Sequence, residues 1–236
     1  MKKLLVGLAV AAACAAAGMH WYYADRGRFT TDPVYTGLER KVRGNTIVSA
    51  RDPAVTLRFD PAYEYAGGQK FVLYGVADVE QHFFVETTPA GKLESVYWIQ
   101  FEGYLPDNDY AYDYDDSPLR LTLGDLEFYA DTTPAESDPD RKRARGTDGA
   151  MARTLLASKG YEFPRHFAYA RLVHLTDETQ RKELMIIFVD DLARYGYTAP
   201  ELKQGGVKAG DWSAVEAAHL DRIRATLEVL PPAREE

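Results

Sequence analysis

The chain has one cysteine among its 236 residues, Cys14, and this cysteine lies in the apolar N-terminal stretch. A disulfide within the chain needs two cysteines, so the folded part must be stabilised by the burial of apolar side chains instead. A zinc site built from thiolates is excluded for the same reason. With 46% hydrophobic and 12% aromatic residues, the chain has enough apolar material for one sizeable core.

The common catalytic and metal-binding motifs are also missing. None of the six serines stands in a Gly-x-Ser-x-Gly turn, and no glycine-rich loop is followed by Lys-Ser or Lys-Thr. No two of the five histidines lie four residues apart, which is the spacing of two metal ligands on one helix face. The sequence therefore predicts no cofactor, no metal site and no catalytic residue.

One acidic stretch, residues 107–116, interleaves carboxylates with tyrosines. Calcium takes about six to eight oxygen ligands, so a calcium site in this stretch is one hypothesis. The EF-hand pattern is absent, because there is no glycine at its sixth position and no glutamate at its twelfth. A solvated loop is the favoured interpretation.

Basic residues are too few to balance the acidic ones, and the formal net charge is −8 at pH 7. A protein that binds nucleic acid needs a basic surface to neutralise phosphates, so this composition argues against a nucleic-acid partner. Anionic lipid headgroups are disfavoured on the same electrostatic ground.

Residues 1–17 predict a signal peptide or a membrane anchor, because Met1-Lys2-Lys3 precedes an apolar, alanine-rich run. Ala15-Ala16-Ala17 offers a cleavage site of small residues. Cleavage there leaves 26 basic against 36 acidic residues, a net charge of −10. Ala11-Ala12-Ala13-Cys14 resembles a bacterial lipoprotein processing site, although alanine stands first where leucine is usual. Residues 4–23 are also long enough to be an uncleaved anchor.

All three fates place the folded part outside the cytoplasm, either periplasmic or secreted. The membrane is then contacted only through the N-terminal segment. Residues 18–45 mix aromatic, charged and glycine residues without a clear period, and we interpret them as a tether followed by an extended lead-in.

Residues 46–230 predict a single α+β domain. We expect one curved, largely antiparallel sheet of about eight strands with two main helices packed against it. The helices are expected over residues 149–159 and 214–229, from their caps and their apolar spacing. Residues 182–189 form the most continuously apolar run outside the N-terminus, which is typical of a central strand that is covered on both faces.

The stretch from Gln69 to Leu105 predicts a strand that leads into a long hairpin, because Pro89 and Gly91 lie between two β-rich runs. A turn centred on Ala90 pairs residues whose numbers sum to 180, so odd-numbered side chains form one apolar face. His82 is then opposite Trp98.

The even-numbered residues of this hairpin form a polar and aromatic face. The favoured interpretation is the ordinary solvated face of an antiparallel sheet, which commonly buries only one face. The alternative is that this face binds a ligand, with the tryptophan stacking on it and the carboxylates orienting it. The predicted ligand-binding residues are Glu80, His82, Trp98, Gln100 and Glu102.

Three functions are compatible with these features. The favoured one is an exported, non-enzymatic protein that binds a small or amphipathic ligand in the concavity of the sheet. The second is a hydrolase that uses Glu80 and Glu102 with His82. The third is a structural or partner-binding envelope protein that contacts another protein through its tyrosine-rich acidic loop. The sequence does not name the ligand, a protein partner or the oligomeric state.

Overall fold

A computed structural model describes residues 26–137 and 145–232 of the chain. The predicted signal peptide or anchor at residues 1–17, and the start of the predicted lead-in, lie outside the described residues. Within the described ranges, no helix is both long enough and apolar enough to span a lipid bilayer.

The described residues form eleven strands and three α-helices, which confirms the α+β class. The strands are β1 (Lys41–Arg43), β2 (Thr46–Ala50), β3 (Ala54–Phe59), β4 (Glu64–Leu73), β5 (Ala77–Thr87), β6 (Leu93–Tyr104), β7 (Leu119–Leu123), β8 (Leu126–Glu136), β9 (His166–Leu175), β10 (Lys182–Asp191) and β11 (Leu227–Leu230). The α-helices are α1 (Asp148–Ser158), α2 (Ala199–Leu202) and α3 (Trp212–Thr226). Short 3-10 helices cover Arg26–Phe29, Leu192–Tyr195 and Ala209–Asp211.

Seven antiparallel strands form the larger sheet in the order β4-β5-β6-β10-β9-β8-β7. Strand β10 is the middle strand, and its residues 183–191 are buried in an unbroken run. The prediction that the apolar run 182–189 forms a central strand covered on both faces is therefore confirmed.

The remaining strands form a second, four-stranded sheet in the order β1-β2-β3-β11. The prediction of one sheet with about eight strands is therefore wrong. The short segments β2 and β3 were expected to extend the main sheet, but they pair with each other and with the C-terminal strand. Two separate sheets can bury their inner faces against each other, which a single open sheet cannot do.

The C-terminal helix is shorter than predicted, because α3 ends at Thr226 and residues 227–230 form β11. Leu227 and Val229 are buried while Glu228 between them is exposed, which is the two-residue period of a strand. The predicted apolar stripe continued through Leu227 and Leu230, and those two positions fit a strand as well as a helix.

One face of the seven-stranded sheet, which we call the sandwich face, packs against the four-stranded sheet and α3. Its central residues are Phe84, Tyr97, Ile99, Ile186 and Phe188, and they share one apolar cluster with Leu57 and Phe59 of β3 and Ile223 of α3.

The opposite face, which we call the helix face, packs against α1. It presents Phe83, Trp98, Met185 and Ile187 to Ala152, Leu155 and Leu156 of the helix. Both faces of the sheet are therefore covered, whereas antiparallel sheets commonly leave one face in water.

Helix α1 forms where the sequence predicted it. The hydroxyl oxygen of Thr147 accepts a hydrogen bond from the amide of Ala150 at 3.1 Å, which caps the helix N-terminus. Gly160 follows the helix with a φ of +85°, a conformation that favours glycine and ends the helix. These two signals set where the helix begins and ends.

Candidate functional site

Strands β5 and β6 pair one residue out of the predicted register. The observed partners are Gln81 with Gln100 and Phe83 with Trp98, so the paired numbers sum to 181. Because side chains alternate along a strand, a shift of one residue moves every side chain of one strand to the other face. The prediction that the five site residues share one face is therefore wrong. Glu80 and His82 lie on the sandwich face, whereas Trp98, Gln100 and Glu102 lie on the helix face.

On the sandwich face, Glu80 and His82 form a hydrogen-bonded chain with Tyr65. The imidazole Nε2 of His82 is 2.8 Å from Oε1 of Glu80, and its Nδ1 is 3.0 Å from the hydroxyl of Tyr65. The backbone amides of Glu39 and Arg40 donate to the Glu80 carboxylate at 2.8 and 2.9 Å. Burial by itself would raise the pKa of Glu80, but these hydrogen bonds outweigh it and lower the pKa.

This chain is enclosed, because His82 is 0% exposed and Glu80 is 4% exposed. Its hydrogen bonds join the segment before β1 to β5. The arrangement therefore stabilises the packing of that segment against β5. Glu80 and Glu102 project from opposite faces, yet both line one cavity beside the segment that leads into β1, and His82 is not among its lining residues.

On the helix face, amide side chains form a ladder across β4, β5 and β6. Gln69 donates to Gln81 at 2.7 Å, and Gln81 donates to Gln100 at 2.7 Å. Gln100 then donates to Oε2 of Glu102 at 2.6 Å, and its own oxygen also accepts the indole N–H of Trp98 at 3.1 Å. Gln100 is thus occupied by its neighbours, and it fixes the positions of Trp98 and Glu102.

A cavity of about 580 Å³, which we call the acidic cleft, lies between the helix face and the N-terminal end of α1. Its aromatic walls include Tyr74, Trp98, Tyr112, Tyr114, Phe163 and Tyr169. Four carboxyl groups also line it. Glu136 at the end of β8 pairs with Lys203 at 3.0 Å. The other three, which we call the cleft carboxyls, are Glu102 from β6, Glu183 from β10 and Asp148 from α1. Proteins often bind small ligands in concave apolar sites that contain a few placed polar groups.

Glu102 and Glu183 are direct cross-strand partners, so their side chains project from the same face of adjacent strands. Tyr112 donates to Oε1 of Glu102 at 2.9 Å, and Tyr114 donates to Oε2 of Glu183 at 2.7 Å. The acidic stretch at residues 107–116 therefore places two of its tyrosines in the cleft rather than forming only a solvated loop.

The pKa values of this pair are strongly raised. Burial raises the pKa of Glu102 to about 7. Burial, together with the nearby charge of Glu102, raises the pKa of Glu183 to about 8. Two carboxyl groups that share an enclosed site do not both ionise near the ordinary pKa of a glutamate, because each negative charge disfavours the other.

Asp148 joins this pair from the opposite wall as the first residue of α1. Its Oδ1 accepts the amide N–H of Gly149 at 2.7 Å, and its backbone carbonyl accepts a hydrogen bond from Gln81 at 3.3 Å. Burial raises the pKa of Asp148 in spite of that amide. The glutamine ladder therefore connects the sheet to the start of the helix.

Three arginines also line the cleft, Arg26, Arg153 and Arg171. Arg171 donates to Oδ2 of Asp131 at 2.7 and 3.1 Å. Arg26 lies over the ring of Tyr74 at 4.2 Å, and Arg153 lies over the ring of Phe163 at 4.1 Å. Among the described residues, none of the three cleft carboxyls forms an ion pair. Each accepts its hydrogen bonds from uncharged groups instead.

Within residues 26–137 and 145–232, no group of three or more His, Cys, Asp or Glu side chains is arranged to hold a metal ion. The calcium hypothesis for residues 107–116 gains no support from this geometry.

A second cavity, of about 550 Å³, lies beside the segment that leads into β1. Some of its charges are paired within the protein, since Arg51 contacts Glu39 at 2.6 Å and Lys182 contacts Asp52 at 2.9 Å. Glu102 lines both this cavity and the acidic cleft, whereas Glu183 and Asp148 line the acidic cleft.

Sequence reasoning found Trp98, Gln100 and Glu102 but missed Glu183, Tyr112, Tyr114 and Asp148 as members of one site. A signal for Glu183 was present, because it is an acid inside the run that was expected to be covered on both faces. For Asp148 the sequence indicated only a helix cap, and nothing in the sequence placed that cap over the sheet.

Comparisons of the chain with known protein families, with curated proteins and with solved structures found no match.

Proposed function

We propose that this chain is an exported protein, periplasmic or secreted, that binds a small ligand in the acidic cleft without catalysing a reaction. The observation that carries the proposal is the cleft itself, a cavity of about 580 Å³ in which aromatic walls surround the carboxyl groups of Glu102, Glu183 and Asp148. Ligand sites of about 300–1,000 Å³ with this mixture of apolar and polar lining are common in binding proteins.

Of the predicted ligand-binding residues, Trp98 and Glu102 line this cleft and Gln100 positions them. Glu80 and His82 have no part in it, because they belong to the packing of the sandwich face. Export is supported by the lysines and apolar run at the start of the chain.

Gly149 offers a direct way to block the cleft. It lies in the first turn of α1. Apart from its own helix backbone and its chain neighbours, the atom of the described residues within 4 Å of a Cβ placed there is Cη2 of Trp98, at 4.0 Å. Gly149→Trp therefore fills the space beside Trp98, whereas Gly149→Ala adds one methyl group in ordinary contact.

The experiment is a thermal-shift screen of sugars, amines, carboxylic acids and amphiphiles against the wild-type protein and both variants. We expect at least one compound to raise the Tm of the wild type and of Gly149→Ala, with little effect on Gly149→Trp. A screen without any shift, or a shift that survives in Gly149→Trp, would contradict ligand binding in the cleft.

A second candidate function is acid–base catalysis by Glu102 and Glu183, and the observation that favours it is their raised pKa values of about 7 and about 8. Acids that titrate near neutral pH can donate and accept protons during a reaction. This candidate predicts turnover of a glycoside, ester or phosphate substrate that is lost in Glu102→Gln. Turnover that is unchanged in that variant would exclude it.

A further inference from the structure

Glu102, Glu183 and Asp148 are enclosed in the acidic cleft without an ion pair among the described residues, although Arg171 acts at longer range on Glu183 and Asp148, and Arg26 acts on Asp148. On the sandwich face, the fully buried Asp190 contacts Arg194 at 3.2 Å and Arg222 at 3.3 Å. In the cleft, Glu102 and Glu183 accept hydrogen bonds from tyrosine and glutamine side chains. A buried carboxylate normally needs a cation or several strong donors to offset its lost hydration.

In Glu183, one carboxylate oxygen has no hydrogen-bond donor among the described residues. The residue is 1% exposed and lines the cleft. Tyr114 donates to its Oε2, while its Oε1 accepts no hydrogen bond from any residue in the described ranges. One enclosed carboxylate oxygen is therefore directed at the cavity with its acceptor capacity unused.

The walls of the cleft suit a positive charge as well. Trp98 and Tyr169 are among its lining residues, and aromatic ring faces attract cations through their negative electrostatic potential. Arg26, Arg153 and Arg171 lie over the rings of Tyr74, Phe163 and Tyr114 instead. A carboxylate ligand placed beside Glu183 would also meet Glu102, its cross-strand neighbour, and like charges in an enclosed site repel strongly.

We infer that the acidic cleft takes a small organic cation with a protonated amine, whose N–H groups donate to Glu183, Glu102 and Asp148 while its carbon chain lies against the aromatic walls. This inference rests on the proposed function, because it names the chemical class of the ligand for the same site.

Binding of an amine must change the protonation of the cleft. A cation favours the ionised carboxylates, so complex formation releases protons near neutral pH, where Glu102 and Glu183 titrate. If one carboxyl with a pKa of about 7 must ionise, the affinity rises about tenfold between pH 6 and pH 8. A neutral ligand that used the protonated carboxyls as donors would show the opposite trend.

The experiment is isothermal titration calorimetry of the purified exported protein with matched probes. Putrescine, spermidine and choline are the cationic probes. 1,4-Butanediol has the carbon skeleton of putrescine with uncharged ends, and succinate has it with carboxylates. We expect an amine to bind with an affinity that rises between pH 6 and pH 8, while the diol and succinate show no heat of binding at millimolar concentration.

Two variants assign the effect to the cleft carboxyls. Glu183→Gln keeps an acceptor for Tyr114 but removes the charge, and we expect it to weaken amine binding at pH 8 by at least about tenfold. Asp148→Asn removes a charge from the helix without altering a strand, and we expect it to weaken amine binding as well. Glu127→Gln is the matched control, because Glu127 is an exposed acid on β8 outside the cleft.

The outcomes separate the inference from the proposed function. If no amine binds, or if Glu183→Gln and Glu127→Gln behave alike, the inference is overturned. The proposed function survives that result when the thermal-shift screen still finds a neutral or anionic compound that Gly149→Trp excludes. If neither experiment finds a ligand, both proposals fail together.

Discussion

The pKa values of buried glutamates shift in opposite directions on the two faces of the seven-stranded sheet. On the sandwich face, Glu80 receives three hydrogen bonds and its pKa is lowered. On the helix face, Glu102 and Glu183 are cross-strand neighbours without an ion-pair partner among the described residues, and burial raises both pKa values. The same residue type is thus stabilised in its charged form on one face and in its neutral form on the other.

This difference indicates that the acids on the two faces have different roles. Paired acids on the sandwich face contribute to the stability of the fold. Acids held without a partner lower the stability at neutral pH, and such groups cluster at functional sites more often than elsewhere in proteins. The comparison therefore supports ligand binding at the helix face and structural packing at the sandwich face.

The largest expected effect is a loss of stability, and it compares the packing of the two sheet faces at two residues of one strand, β10. Phe188 of β10 is 0% exposed on the sandwich face and stacks on Tyr97 at 4.4 Å between ring centroids. Phe188→Ala should lower the free energy of unfolding by about 3–5 kcal/mol, because it leaves a closed cavity. Met185 of the same strand lines the cleft, so Met185→Ala enlarges an existing cavity and should cost about 2 kcal/mol.

Urea denaturation at equilibrium measures both values. Equal losses in the two variants would show that the helix face is packed as tightly as the sandwich face, and would count against an open cleft.

The next effect concerns the paired acid, Glu80. Glu80→Gln removes the charge that His82 and two backbone amides stabilise, and should cost about 1–3 kcal/mol at pH 7. Because the folded pKa of Glu80 is lowered, its contribution is present above the unfolded pKa and is lost as the pH falls through the folded pKa. Unfolding curves should show a penalty that shrinks at acidic pH, and a constant penalty would refute the assignment.

The unpaired acid Glu183 should behave in the opposite direction. Its folded pKa of about 8 lies above the unfolded value, so the folded state binds more protons and loses stability as the pH rises between those two values. Glu183→Gln should match the wild type near pH 4 and exceed its stability at pH 8.5, by an amount on the order of 1–2 kcal/mol. A variant that is less stable than the wild type at pH 8.5 would mean that Glu183 is paired in solution.

The smallest effect concerns the helix that covers the cleft. Gly149→Ala should raise the free energy of unfolding by about 0.4–1 kcal/mol, because alanine reduces the entropy of the unfolded chain and its Cβ fits beside Trp98. Thermal unfolding of the variant provides the measurement. A destabilised Gly149→Ala would show that α1 lies closer to the sheet than the 4.0 Å contact indicates.

Local signals in the sequence predicted much of the secondary structure. The helix after Thr147 and the apolar strand β10 both form close to their predicted positions. Each of these depends on a turn residue, a cap or an apolar run, which act between near neighbours in the chain. The strand β11 was missed because its buried leucines fit a helical stripe equally well.

The register of the central hairpin could not be predicted in the same way. Parity identifies the buried face of a strand only when the other face is polar. In β5 and β6 both faces are buried, with Phe83 on one and Phe84 on the other, so two registers separated by one residue are nearly equal in apolar pattern. That one-residue error divided the predicted site between the two faces.

The sequence by itself determined the strand-rich composition of the domain, its central strand, the start of α1 and the absence of common catalytic motifs, because these are properties of short segments. Only the tertiary structure decided that there are two sheets, and that Glu102, Glu183 and Asp148 meet in one cleft. These three residues come from β6, β10 and α1, and their meeting depends on strand pairing and helix docking between segments far apart in the chain. Such contacts are selected by the packing of both sheet faces together, which no single segment encodes.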